Sequence, residues 1–257
     1  LWNTDADRNN SGEAEYSILR SRFDNLTEAG IQIDSGNAYD YWVRYSHFTN
    51  NKYGVKNSRG DFKVMNSVFR NSSEADLYAA SHGSAGIRDN YSSGSRRFLV
   101  VDGGIMSVED NRIVDTVETD AVLLVGVLDL VMLDNTFVSR PGVTQGPVVR
   151  ETRSAGNNPL LIAGNAFSVS GDPFGLIGAG AVLFDNVTAT GRPATAAPPL
   201  PTTPPKVARQ VFEVTPGVGF SLQTQIDAAV AHAAANPGSR PIVHLRNGNY
   251  AVYQTVV

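Results

Sequence analysis

The 257-residue chain contains no cysteine. That absence excludes a disulfide framework and every thiolate metal site, and it leaves the redox compartment open, because exported bacterial and cytosolic proteins alike do without cysteine. Long apolar runs are lacking too. The longest, Ala121 to Val127 continued by Leu128, Leu130 and Val131, is interrupted by Asp129 and falls well short of the roughly 20 residues that span a bilayer. Neither sign of charge prevails. The 21 Lys and Arg against 25 Asp and Glu give a formal net charge of −4, which is no electrostatic reason to expect a nucleic-acid partner. The opening residues, Leu1 to Arg8, have neither a basic start nor an apolar stretch and do not read as a signal peptide. What is present, 42% hydrophobic residues, 24 Gly and 13 Pro, suffices for a buried core in one large domain or one and a half ordinary ones.

One short pattern recurs: Ser or Asn, any residue, then usually a large apolar residue. It reads Ser21-Arg22-Phe23, Ser46-His47-Phe48, Ser67-Val68-Phe69, Asn111-Arg112-Ile113, Asn135-Thr136-Phe137 and Asn165-Ala166-Phe167, with weaker copies at Asn90-Tyr91-Ser92 and Asn186-Val187-Thr188. The mean period is about 24 residues, within the range of solenoid repeats. Inside each period the apolar runs are short and strand-like, such as Ile31-Gln32-Ile33, Phe98 to Val101 and Leu160 to Ile162, and Gly, Asn, Asp and Ser lie between them. This predicts an all-β chain, a parallel β-helix of about seven or eight coils, with Phe and Ile filling an interior column and the Asn and Ser anchors forming a corner ladder. A tandem β-sandwich also places strands and turns at such intervals, but it does not predict the same triplet at the same phase eight times.

The coils occupy residues 1–192. From 193 to 205, six of 13 residues are proline, an extended, semi-rigid linker. In residues 206–257, Leu222, Ile226, Ala229, Val230 and Ala233 mark one face of a helix stopped by Asn236-Pro237-Gly238, and Ile242 to Leu245 and Tyr250 to Val257 read as strands around an Asn247-Gly248 turn.

The Asn-x-Phe coils resemble the right-handed parallel β-helix of the pectate-lyase-like superfamily. The segment Ser221 to Val257, with Leu222-Gln223-Thr224-Gln225-Ile226 and then Leu245-Arg246-Asn247-Gly248-Asn249-Tyr250, resembles the N-terminal cap of such a domain. The resemblance implies either two β-helical domains in tandem, of which this chain is a piece, or a last segment that folds back to cap the first solenoid. It specifies fold better than activity, since the same fold hosts lyases, hydrolases and noncatalytic surface proteins.

Side chains alternate along a strand, so a binding face is read from the outward positions of successive coils. Aligning Ile31, Val55, Leu77, Leu99 and Val122 as inward residues places Gln32, Asp34, Lys56, Tyr78 and Asp102 outward as a polar stripe, while Leu123, Val125 and Ile177 make the later wall apolar. These five polar residues are the candidate substrate-binding site, the partner a polysaccharide or oligosaccharide. Carboxylates two or three coils apart are within the reach expected for glycoside cleavage, with Lys56 between them to stabilise an enolate. No catalytic residue is assigned, because the polygalacturonase-like and pectate-lyase-like motifs that the resemblance would bring are missing; no cofactor or metal is implied. The run Tyr39 to Tyr45 is expected to expose some of Tyr39, Tyr41 and Tyr45 beside the stripe. His47 reads as a turn or surface residue, His82 as a loop residue and His232 as lying on the outer helix face. The expected function is a polysaccharide-binding or polysaccharide-cleaving module, of the glycoside hydrolase or lyase class, in a larger secreted or cell-surface protein. The alternative is a noncatalytic adhesin-like scaffold. Another β-helix domain or chain is a candidate partner for the apolar wall, and no membrane span is expected.

Overall fold

A coil of about 24 residues cannot enclose a core of its own; its strands are satisfied only when the next coil stacks on them. A computed structural model describes residues 2–3, 16–34, 40–80, 83–127, 129–140, 142, 146–152, 159–169, 171–188, 209–217 and 222–250. The chain divides into two compact units, Leu1–Pro201 and Thr202–Val257. The proline-rich segment 193–205 and the end of the last expected strand, 251–257, lie outside the described residues.

The first unit is a parallel β-solenoid of about seven turns. Each turn adds one strand to each of three eight-stranded sheets. One turn supplies Ala29–Ile33 to the first sheet, Tyr41–Arg44 to the second and His47–Thr49 to the third; the next supplies Tyr53–Asn57, Phe62–Met65 and Val68–Arg70. In the first sheet Ile31, Val55, Leu77, Leu99 and Val122 stand opposite one another in the expected column, and all five are fully buried. In the third sheet Phe23, Phe48, Phe69, Ser92, Ile113, Phe137 and Phe167 share one column. The rings of Phe48 and Phe69 stack with centroids 4.8 Å apart and those of Phe137 and Phe167 at 5.2 Å. Ser92 and Ile113 divide the column into two stacks.

The corner after the second sheet carries the ladder. Ser21 N donates to Ser46 Oγ at 3.1 Å, Ser46 N to Ser67 Oγ at 3.2 Å and Ser67 N to Asn90 Oδ1 at 3.0 Å. The chain of bonds continues through Asn111, Asn135, Asn165 and Asn186. Each asparagine amide also donates back to carbonyls: Asn135 Nδ2 reaches Val108 O at 2.8 Å and Leu133 O at 2.9 Å. Directly before each anchor the backbone turns left-handed, at Arg20, Tyr45, Asn66, Asp89, Asp110, Asp134, Gly164 and Asp185, with φ from 49° to 68°. Asn, Asp and Gly dominate these positions because they tolerate that geometry best.

A second, shorter ladder follows the third sheet. Asn50 Nδ2 donates to Asn25 Oδ1 and Asn71 Nδ2 to Asn50 Oδ1, both at 3.1 Å. It stops at Gly94, where φ is 67° and a Cβ would sit 2.5 Å from Asn71 Oδ1.

The second unit adds a strand to the elements read from the sequence. A strand Val211–Val214, absent from the sequence-based reading, pairs in parallel with Ile242–Leu245, and the helix Leu222–Ala235 connects them. A parallel pair needs such a crossover; here the helix provides it and packs on both strands. His232, expected on the outer helix face, instead meets the Phe212 ring edge-on at 5.8 Å, and Val230 is the exposed residue. The four-residue strand was masked by its position just after the proline-rich stretch. Among the described residues no helix is long and apolar enough to cross a membrane.

The two stacks carry measurable stability. Phe69→Ala or Phe137→Ala is expected to cost about 3–5 kcal/mol through lost burial and a residual cavity. Asn135→Ala strands several buried backbone and amide groups, each costing about 1–3 kcal/mol when unpaired, and is expected to destabilise more than Asn186→Ala at the last rung. Urea denaturation of the four variants checks both; equal costs for the two asparagines would mean that the ladder adds little beyond local turn formation.

Candidate functional site

On the outer face of the first sheet, Gln32, Lys56 and Tyr78 occupy successive positions of one column. Asp34 and Asp102 lie one position past the strand pairs Ile33–Asn57, Asn57–Ala79 and Ala79–Val101, with Ser58 and Ala80 between them in the same file. The stripe therefore exists as a contiguous surface. Gln32 Nε2 donates to Asp34 Oδ2 at 2.7 Å. Burial raises the Tyr78 hydroxyl above the ordinary phenol range, helped by the charge of Asp102 and a hydrogen bond to it. A phenol held in its protonated form donates to that carboxylate.

Tyr53 joins the stripe although strict alternation places it inside. Gly54 faces the interior, where a Cβ would meet the Phe69 ring at 2.6 Å, and the neighbouring Val55 is also fully buried. Two consecutive inward residues turn Tyr53 outward, where its ring lies 5.7 Å from that of Tyr78 at 58° and Lys56 Nζ lies 5.7 Å from its centroid. The result is two tilted phenol rings and an ammonium flanked by amide and carboxylate groups.

Beside the stripe runs a file of charges. Glu28, Lys52, Glu74, Arg96 and Glu118 alternate in sign from coil to coil, with Lys52–Glu28 at 3.3 Å, Arg96–Glu74 at 2.8 Å and Arg96–Glu118 at 3.2 Å. Next to it Asp120 is held between Arg97, at 3.0 Å, and Arg150. These charges pair with one another from coil to coil. The spacing of 22 to 24 residues between opposite charges was the available signal.

Asp34 and Asp102 are three coil steps apart, about 14 Å at 4.8 Å per step, whereas glycosidase pairs stand about 5–9.5 Å apart. Among the described residues no group of three or more His, Asp or Glu is arranged to hold a metal ion.

The aromatic run after the first corner divides by face. Tyr41 is buried, Trp42 points outward on the second sheet, and Tyr45 is exposed at the corner; Tyr39 lies outside the described residues, as does His82. His47 is not a surface residue. It sits in a strand, 6% exposed, and burial, with Arg70 and Arg22 nearby, lowers its pKa. In Arg59-Gly60-Asp61 the carboxylate accepts from Ser84 N at 2.6 Å, which ties it to the next coil.

The most perturbed group lies inside. Asp76 is fully buried and accepts hydrogen bonds from Ser95 Oγ at 2.6 Å and from Ser92 Oγ. Burial without a cation pushes its carboxyl up to about 7, and the serine hydroxyls oppose this only in part. No protein-family model matches the chain, and no curated protein or solved structure is significantly similar to it.

Because the folded-state pKa of Asp76 lies above that of an unfolded carboxylate, its contribution is fully present at low pH and is lost as pH rises through about 7. Asp76→Asn is expected to be more stable than the parent at pH 8, by on the order of 4 kcal/mol, with the gap closing by pH 4. Thermal unfolding of both proteins across that range checks the sign; a gap that widens toward low pH would contradict it.

Proposed function

We propose that the solenoid is a polysaccharide-binding module of the pectate-lyase-like kind, belonging to a secreted or cell-surface protein. The observation that carries this reading is the contiguous outer stripe Gln32, Asp34, Lys56, Tyr78 and Asp102, joined by Tyr53. Phenol rings present faces to the apolar side of a sugar ring, while the amide, ammonium and carboxylates match hydroxyls, a combination suited to a wet, extended ligand. Holding is favoured over cleavage because the two carboxylates are too far apart to share one glycosidic bond. A noncatalytic scaffold is the second reading, favoured by the outward apolar residues Val131, Leu161 and Val182 of the later coils.

Glycan-array binding followed by calorimetry tests the proposal. Asp34→Ala, Lys56→Ala and Tyr78→Ala are each expected to weaken binding about tenfold, the loss of roughly one good contact, while Leu123→Ala leaves it unchanged. Unaltered binding in all three, or no glycan bound by the parent, would leave the scaffold reading.

A further inference from the structure

One coil supplies Ala75–Ala79 to the first sheet and Tyr91–Ser93 to the third, and its interior is closed by polar bonds instead of rings. Asp76 is fully buried there. In its own file stand Gly54 one coil before and Phe98 one coil after. Across the interior Ser92 Oγ donates to the carboxyl, from the corner Ser95 Oγ donates to it at 2.6 Å, and Ser72 adds a third neighbouring hydroxyl. Among the described residues no charged side chain reaches it. Ser95 Oγ also accepts from Ser72 N at 3.0 Å, so the carboxyl is tied to the corner that opens its coil and to the one that closes it.

A neutral carboxyl fits this set, because a hydroxyl accepts a proton as readily as it donates one. A carboxylate does not fit. Uncompensated charge in an apolar interior is expensive until a cation or water comes to it. The coil supplies no cation, so water must enter, and it enters when the strand parts from the serine corner.

We propose that Asp76 is a proton-operated latch: with its proton it closes this one coil across the interior, and without it the strand Ala75–Ala79 leaves the Ser92 and Ser95 hydroxyls and the coil opens locally while the distant coils stay folded. The preceding coil has no such device, since Gly54 against the Phe69 ring closes it by contact alone. The released strand carries Tyr78 outward, opposite Lys56. That the latch thereby governs a glycan-binding face rests on the function proposed above; the latch itself does not.

Burial pushes the carboxyl up to about 7 in the closed coil, whereas in the open coil it meets solvent as an ordinary carboxylate near about 4. The opening equilibrium therefore rises about tenfold per pH unit between those values and levels off above the higher one. His47, two coils away on the outer face of the third sheet, has the opposite sign. Burial and the nearby Arg70 and Arg22 lower its pKa, so its own strand loosens in acid.

Hydrogen exchange from pH 4.5 to 8.5, read by mass spectrometry and corrected for the intrinsic exchange rate, tests the latch. Protection of Ala75–Ala79 and Tyr91–Ser93 is expected to fall about tenfold per pH unit up to about pH 7 and to stay level above it, while Leu160–Ala163 keeps its protection throughout. Asp76→Asn is expected to remove the pH dependence. Ser95→Ala takes away a hydrogen bond that favours the charged form, so its fall is expected to continue above pH 7. The parent's profile decides the matter even where Asp76→Asn fails to fold: an equal fall in Leu160–Ala163, or no fall in Ala75–Ala79, would overturn the proposal, as would a folded Asp76→Asn variant that keeps the parent's slope.

Discussion

In a parallel solenoid every side chain has its own equivalent above and below it at about 4.8 Å. Each column must therefore hold groups that tolerate their own kind as neighbours, and most of this molecule's composition follows from that requirement. Asparagine satisfies it because one amide both donates and accepts, which is why the buried corner runs from Ser46 and Ser67 into Asn90, Asn111, Asn135 and Asn165 as an unbroken chain of bonds. Phenylalanine satisfies it by offset stacking, as Phe48 on Phe69 and Phe137 on Phe167. Charges cannot stack on their own sign. The outer file accordingly alternates, Glu28, Lys52, Glu74, Arg96 and Glu118. Exposed ion pairs add little stability each, so the alternation counts mainly as avoidance of like charges one coil apart.

The same constraint explains where a column may change identity. In two successive turns a glycine faces a phenylalanine across the interior: Gly30 with Phe48 and Gly54 with Phe69, where a Cβ would come within 2.7 and 2.6 Å of the ring. In the next turn both members change together. The glycine position becomes Asp76 and the phenylalanine position becomes Ser92, so the volume moves from one wall to the other and the core stays filled. Either change alone would clash or leave a void. The exchange substitutes a carboxyl and hydroxyl pair for stacked rings, and it introduces into the interior a carboxyl whose charge depends on pH near neutrality.

Column-forming positions were the legible part of the sequence. Ser21 through Asn186 were readable as a ladder because the backbone demand repeats every turn, and Ile31 through Val122 aligned because burial repeats with it. Outward positions are free of that demand, and there the reading was partial: Gln32, Lys56 and Tyr78 followed from alternation, whereas Tyr53 did not, since two inward residues in a row at Gly54 and Val55 break the alternation locally. Trp42 was hidden by the run of tyrosines around it. Nothing in the run itself says which ring faces out; the register with Ser17 and Lys63 does. The strand Val211–Val214 escaped because a parallel partner 31 residues away leaves no local turn signal.

Stacking also quantises the distances available for chemistry. Groups in one outer file stand about 5, 10 or 14 Å apart along the axis and at no value between, apart from side-chain reach. Two acids at glycosidase separation must therefore come from neighbouring or next-neighbouring coils. In the file that begins at Asp34 the intervening positions are Ser58 and Ala80, and the next acid is Asp102. Such a file can grip a long ligand at several points yet cannot bring two carboxyls to one bond. The second sheet follows the same rule with a different spacing of parts: Trp42 and Lys63 are on adjacent coils, Arg44 is two residues along the same strand, and the three converge within one coil step. Convergence over one step gathers unlike groups around a single ring, whereas extension over three steps spreads them along the axis, so the two outer faces present their polar groups on different length scales.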